Sequence, residues 1–347
     1  MLRHREHKTE ADKIKTPEFS KRKHGALVEV RIGALESLRG ALNKEGYREV
    51  TTSSLVNIAG SCENPYFSFG LDFYGRKAFL SQSAQLQLET IVLRLGKKVF
   101  TVNSSFREED YIDPKASGRR LSEFTLIEPE GPFPASISPS TALHRLMGTI
   151  ERVVRSSVSE CLSNVPGQIE MLGGDLTYLK AAAQTEFKVI SYVEALGILR
   201  RMGKTLEFGA DLGIAEEQML LEHFSKRPLF VTHHPASIKF FNAKGAAQKT
   251  CHSVDLLLPK LGETVGGALR EEDGAKVRQQ LLESRIAKFC RKRKWKPEMI
   301  FHEYLKLFEE EEPVSRGGFG IGFERFVAFL LSSNDILETI RHRSFVP

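Results

Sequence analysis

Cysteine is scarce in this chain and shows no metal-binding pattern. Cys62, Cys161, Cys251 and Cys290 stand far apart with no zinc-ligand spacing, so reduced thiols in a cytoplasmic protein are expected. No long uninterrupted apolar run occurs, which leaves no candidate for a membrane-spanning helix. The first residues lack the apolar segment of a secretory signal, and Glu6, Glu10, Asp12 and Glu18 make residues 1–24 a poor mitochondrial presequence. Internal repeats and low-complexity tracts are also missing. The glycine-rich stretch at 317–322 is neither a dinucleotide-binding G-x-G-x-x-G nor a G-x-x-x-x-G-K-[ST] phosphate loop.

What is present suits a sizeable globular domain. The chain has 347 residues, 41% of them hydrophobic, and a formal charge of +6. Residues 1–24 form a basic arm with Arg3, Arg5, Lys8, Lys13, Lys15, Lys21, Arg22 and Lys23, expected to be flexible. Arg291-Lys292-Arg293-Lys294-Trp295-Lys296 is a second basic cluster carrying an aromatic. Together they could grip RNA phosphates, although such charge runs are more often solvated faces. Leu27, Val30, Ala34, Leu38, Ala41 and Leu42 recur at helical spacing and predict a helix over 26–45, stopped by Gly46. Further helices are expected over 85–95, over 139–163 and around 275–293, with a partly helical insertion at about 164–226.

Two stretches carry chemistry. Phe106-Arg107-Glu108-Glu109 precedes turn residues 111–118, and Leu121 to Glu128 alternates apolar and polar residues at the period of a strand. The pattern predicts an antiparallel hairpin with a long tip. Arg107 could pair bidentately with a phosphate, and Phe124 on the facing strand could stack an adenine. A solvated surface hairpin fits this segment alone equally well. The second stretch, Gly317-Gly318-Phe319-Gly320-Ile321-Gly322-Phe323-Glu324-Arg325, runs from glycines into an apolar helix bearing one arginine near its start. An arginine in such surroundings needs an anion, so Arg325 reads as a phosphate ligand.

These stretches resemble motifs 2 and 3 of the class II aminoacyl-tRNA synthetases. Phe230 to Pro235, Val254-Asp255-Leu256-Leu257, Gly262 to Glu271, Ser61-Cys62-Glu63 and Leu80 to Glu89 are similar, in order, to the asparaginyl/aspartyl branch. The resemblance implies an α+β fold, an antiparallel β-sheet flanked by helices, occupying residues 25–347. It also implies activation of an amino acid by ATP and Mg2+ as an aminoacyl-adenylate. Arg107 and Arg325 would be catalytic, with Arg107, Glu109, Leu121, Phe124 and Arg325 binding ATP and Asp255 and Glu263 carrying the metal. Glu63, Ser83, Gln85, Leu88 and Arg270 would bind the substrate amino acid. Leu88 stands where aspartyl enzymes have a lysine, which favours asparagine over aspartate.

Some positions depart from the family pattern. Ser53 replaces the proline that ends motif 1, through which a homodimer is expected. Ala268 replaces a serine, Arg120 a histidine and Asn64-Pro65 a glycine pair. Members that charge tRNA carry an N-terminal anticodon-binding domain, for which no segment is evident. Three functions follow as expectations. The first in rank passes the activated amino acid to ammonia or another small amine, the second is a truncated asparaginyl-tRNA synthetase, and the third is a non-catalytic paralogue that senses or partners. Retention of Arg107, Asp255, Glu263 and Arg325 weighs against the third, and tRNA stays among the possible partners.

Overall fold

The computed structural model describes residues 21–58, 64–108 and 120–340. Glu63, Cys62, Glu109 and the motif 2 loop up to residue 119 lie outside the described residues, as does the arm up to residue 20. Helix α1 (Lys21–Lys44) begins earlier than expected and takes in the last basic residues of the arm. It buries Leu27, Val30, Ala34, Leu38, Ala41 and Leu42, the stripe that its period predicts. Gly46, at φ +87°, turns the chain where a side chain would be strained.

Strand β1 (Arg48–Glu49) follows, then a small sheet of β2 (Leu55–Val56), β3 (Gly70–Phe73) and β4 (Arg76–Leu80). Helix α2 (Gln85–Leu95) leads into the expected hairpin, β5 (Val99–Phe106) and β6 (Glu123–Pro132). Helix α3 (Pro139–Asn164) starts at Ser138, whose hydroxyl accepts the Thr141 N–H, with proline at its first position. The next residues hold α4 (Pro166–Met171), α5 (Leu176–Gln184), β7 (Lys188–Ser191), α6 (Tyr192–Arg201) and α7 (Ile214–His223). Strands β8 (Leu229–Thr232), β9 (Ser253–Leu258) and β10 (Gly262–Leu269) come next, then α8 (Gly274–Glu283), α9 (Arg285–Lys292), α10 (Pro297–Ile300) and α11 (His302–Glu310). Strand β11 (Arg316–Gly322) runs directly into α12 (Phe323–Leu330).

The main sheet has eight strands in the order β1-β5-β6-β11-β10-β9-β8-β7. Its centre is antiparallel, while each edge is a parallel pair, β1 with β5 and β7 with β8. Residues two apart share a face, and here the two faces differ sharply. Ile127, Val254, Leu256, Val265, Phe319 and Ile321 join the core beneath α1 and α3. The opposite face carries Phe124, Glu128, Glu130, Asp255, Arg270 and Arg316 around a floor of Gly266, Gly318 and Gly320.

Gly318 shows why that floor is bare. It lies opposite Glu130 on β6, and a methyl group built there would meet Glu130 Oε2 at 1.9 Å and the Pro129 carbonyl at 2.5 Å. Gly318→Ala is expected to cost about 1–3 kcal/mol in chemical unfolding through overpacking, because Glu130 is itself held in place. A neutral result would show that the Glu130 side chain can move aside freely.

Candidate active site

Arg107 emerges at the end of β5, and its guanidinium carbon lies 5.1 Å from the centre of the Phe124 ring on β6. The cation covers an aromatic face. Leu121 is buried with Leu261, Ala328 and Ile336, and Phe124 packs against this cluster. The two residues read as an adenine platform and a phosphate ligand are therefore adjacent, on the same side of the sheet.

Arg325, in the first turn of α12, donates to the backbone carbonyl of Glu263 and stands 3.9 Å from its carboxylate. Together with Arg120, Asp211, Gly213 and Glu217 these residues line a cavity of about 150 Å³. Glu217, from α7, was not anticipated from the sequence. Its Oε2 accepts the Glu263 N–H at 3.1 Å, and burial and the Glu263 charge push its carboxyl up to about 8. A methyl built on Gly266 would lie 3.0 Å from Glu263 Oε1 and 3.5 Å from Asp255 Oδ1, so both expected metal carboxylates lean over that glycine.

Asp255 is already engaged. Lys239 Nζ sits 2.7 Å and 2.6 Å from its two oxygens. His234 Nε2 lies 3.1 Å from Oδ2. Burial and the neighbouring Lys239 charge hold His234 well below the usual imidazole range. The neutral ring therefore donates from Nε2 to Asp255, while Nδ1 accepts from the Ser253 hydroxyl, 3.1 Å away. Among the described residues no group of three or more His, Cys, Asp or Glu side chains could hold a metal alone.

Further along the face lies a buried charge cluster. Arg270 holds Glu130 bidentately, at 3.2 Å from Nε and 2.9 Å from Nη2. Arg316 holds Glu89 at 3.1 Å and 2.9 Å, and both of these side chains are fully buried. Tyr304, Asn242 and Gln85 complete the hydrogen bonding. Burial pushes the Glu130 carboxyl up to about 7 despite Arg270, whereas Glu89 is held below the usual range by Arg316 and Arg270 against its own burial.

The residues assigned to the substrate divide accordingly. Arg270 and Gln85 belong to this cluster. The Ser83 hydroxyl is bonded to Glu128, whose other oxygen accepts the Ala84 N–H at 2.9 Å, so Ser83 secures the start of α2. Leu88 packs with Ala84, Val92 and Val99, and with Val314 at the margin. Glu89, Glu130, Arg316, Asn242 and Tyr304 were overlooked from the sequence. A carboxylate following Leu86 and Leu88 on the apolar α2, and an arginine opening the glycine run, were the available signals.

No helix of the described residues is long and apolar enough to cross a membrane. The chain matches, over residues 13–343, the family described as tRNA synthetases class II (D, K and N). It is 32% identical over 301 residues to an asparagine–tRNA ligase of Clostridium kluyveri, covering 84% of this chain but 60% of that protein. A similar ligase of Pyrococcus furiosus is 34% identical, with 96% of this chain and 69% of the relative covered. The fold is also that of asparaginyl-tRNA synthetase from Pyrococcus horikoshii complexed with asparaginyl-adenylate, with TM-score 0.80, 34% identity, and 92% of this chain and 68% of that one covered.

Proposed function

Because the chain belongs to the class II tRNA synthetases of the D, K and N group, we propose that it activates asparagine, with aspartate next, as an aminoacyl-adenylate. One observation carries the reading. A single sheet face presents Arg107 over Phe124, Arg325 beside Glu263, and the Arg270 cluster, all around a glycine floor. That arrangement would give base, phosphates and amino acid each a place.

The chemistry needs no nucleophile from the protein. The substrate carboxylate attacks the α-phosphorus and pyrophosphate leaves, so the protein acts by holding two anions together and by meeting charge as it develops. Arg107 would donate to the α-phosphate oxygens. Arg325 would clamp the far phosphate, exchanging its Glu263 carbonyl for a charged acceptor. Arg270 would face the substrate side chain, and the bare glycines let the ligand approach the backbone.

The donor chemistry fits magnesium. Glu263 and Asp255 would hold the ion through hard carboxylate oxygens that lean over Gly266, with Glu217 behind them. Magnesium held by Glu263 and Asp255 would supply positive charge to neutralise the phosphates. Since Lys239 already holds Asp255, the larger share of binding falls to Glu263. Glu263→Gln is expected to raise the magnesium concentration for half-maximal exchange about tenfold or more, and Asp255→Asn less. Equal shifts in a magnesium titration would refute that ranking.

For the acceptor, tRNA now ranks ahead of the small amine expected from the sequence. The support is identity of 32–34% over most of this chain to ligases that are named for tRNA. An ATP–pyrophosphate exchange panel over the amino acids tests activation, with asparagine expected to give the strongest signal. Acid-precipitable labelled asparagine on a tRNA pool tests transfer. Absence of exchange with every amino acid would sink the proposal, and exchange without tRNA labelling would restore the small-amine acceptor.

A further inference from the structure

Glu89 lies beside Arg270, where a carboxylate could either repel or read a substrate side chain. It does neither, because its oxygens are taken. Oε1 accepts from Gln85 Nε2 at 2.9 Å and from Asn242 Nδ2. Oε2 accepts from Tyr304 Oη at 2.8 Å, Arg316 Nε at 3.1 Å and Arg316 Nη2 at 2.9 Å. A carboxylate offers about four lone-pair sites, so these donors leave no capacity for a substrate. Arg316 also cancels the Glu89 charge, and Arg270 stands 3.7 Å from Oε1.

The charge pattern has a second side. Leu88 denies the pocket a cation from α2, and its side chain packs into an apolar cluster. Arg316 instead brings a cation from β11 to Glu89, the next residue of α2, across 227 residues of chain. Two guanidinium groups therefore face two carboxylates, and one of those carboxylates is saturated.

We propose that Arg316 is a specificity-determining residue of the amino-acid pocket, which by saturating Glu89 lets a short side-chain carboxylate enter beside the amide. This rests on the reading of the Arg270 cluster as the amino-acid site. Without Arg316, an ionised Glu89 would repel an acidic side chain and accept a hydrogen bond from an amide nitrogen. Like charges so placed cost several kcal/mol.

The test uses the whole chain and non-hydrolysable sulfamoyl analogues of asparaginyl- and aspartyl-adenylate, with affinities from calorimetry. The wild-type protein is expected to bind both, the amide preferred by about tenfold or less. Arg316→Gln is expected to move the ratio on the order of 100-fold toward the amide. Arg316→Lys, which keeps the charge, and the charge-balanced Glu89→Gln/Arg316→Gln pair should stay within a few-fold of wild type. Should Arg316→Gln fail to fold, Glu89→Gln supplies the opposite shift, toward the carboxylate. Unshifted ratios in these variants, or a wild-type preference for the amide beyond about 1,000-fold, would overturn the proposal. Shifted ratios in a protein that shows no pyrophosphate exchange would sink the proposed function while upholding the role of Arg316.

Discussion

Arg107→Ala is expected to lower ATP–pyrophosphate exchange by about 10³-fold, mostly in kcat, if its donors meet the charge that grows on the α-phosphate as proposed. The loss should exceed that of an ordinary binding contact, since no other arginine among the described residues covers the Phe124 ring. Arg107→Lys should recover only part of it. An ammonium restores the charge but not the planar fork that spans two phosphate oxygens. Stability should barely move, because an accessible cation–π contact contributes about 0.5–1 kcal/mol. Exchange kinetics and urea unfolding of the same variants separate the two effects. Activity within tenfold of wild type would remove Arg107 from the phosphate site.

Glu89→Ala is expected to show the largest loss of stability, about 3–5 kcal/mol, because it leaves buried guanidinium and hydroxyl groups without their acceptor. The residue is fully buried and bonded to Gln85, Asn242, Tyr304 and Arg316. Removing both charges should be milder than removing one, since an apolar pair needs no solvation. The dependence on pH has a definite sign. Glu89 has a depressed folded-state pKa, so its contribution is full above the ordinary carboxylate value and fades as pH falls through the lower folded one. Glu130 works in the opposite direction. Its raised pKa makes the fold lose stability as pH climbs from about 4.5 to about 7. Urea midpoints across that range, for wild type and Glu130→Gln, would expose the Glu130 part as the slope that the variant lacks.

Local pattern made much of this legible. The apolar stripe of α1 follows from spacing alone, and Leu27, Val30, Ala34, Leu38, Ala41 and Leu42 are all buried. The hairpin was visible in the alternation after Leu121, yet β6 continues through Pro129 and Gly131, which look like breakers. Pairing with β11 on one side and β5 on the other overrides their local preference. The helix expected around 275–293 is two helices, since Ser284 accepts the Ala287 N–H and starts the second. Parallel pairing at the sheet edges, and the place of β7 beside β8, left no trace in local pattern. The same holds within the site. Arg107, Phe124, Asp255, Glu263, Arg270 and Arg325 stand in recognisable motifs, whereas Lys239 on Asp255 and Arg316 on Glu89 are partnerships made by the sheet register and the packing of α2.

The tie between α1 and the far end of the domain sets a timetable for assembly. Arg31 donates to the Thr339 carbonyl at 2.7 Å and to Glu324 at 3.1 Å, across separations of 308 and 293 residues. Loop-closure entropy weighs on contacts of such range, which slows folding and concentrates it late. During synthesis, β6 can pair with β5 at once but must wait for β11 on its other side, and α1 must wait for α12 to receive the Glu324 carboxylate. Until β11 and α12 have emerged, Arg107 and Arg325 stand on separate, unjoined pieces of the nascent chain. Unpaired strand edges and apolar helix faces are exposed in that interval, so chaperone dependence is expected to concentrate there.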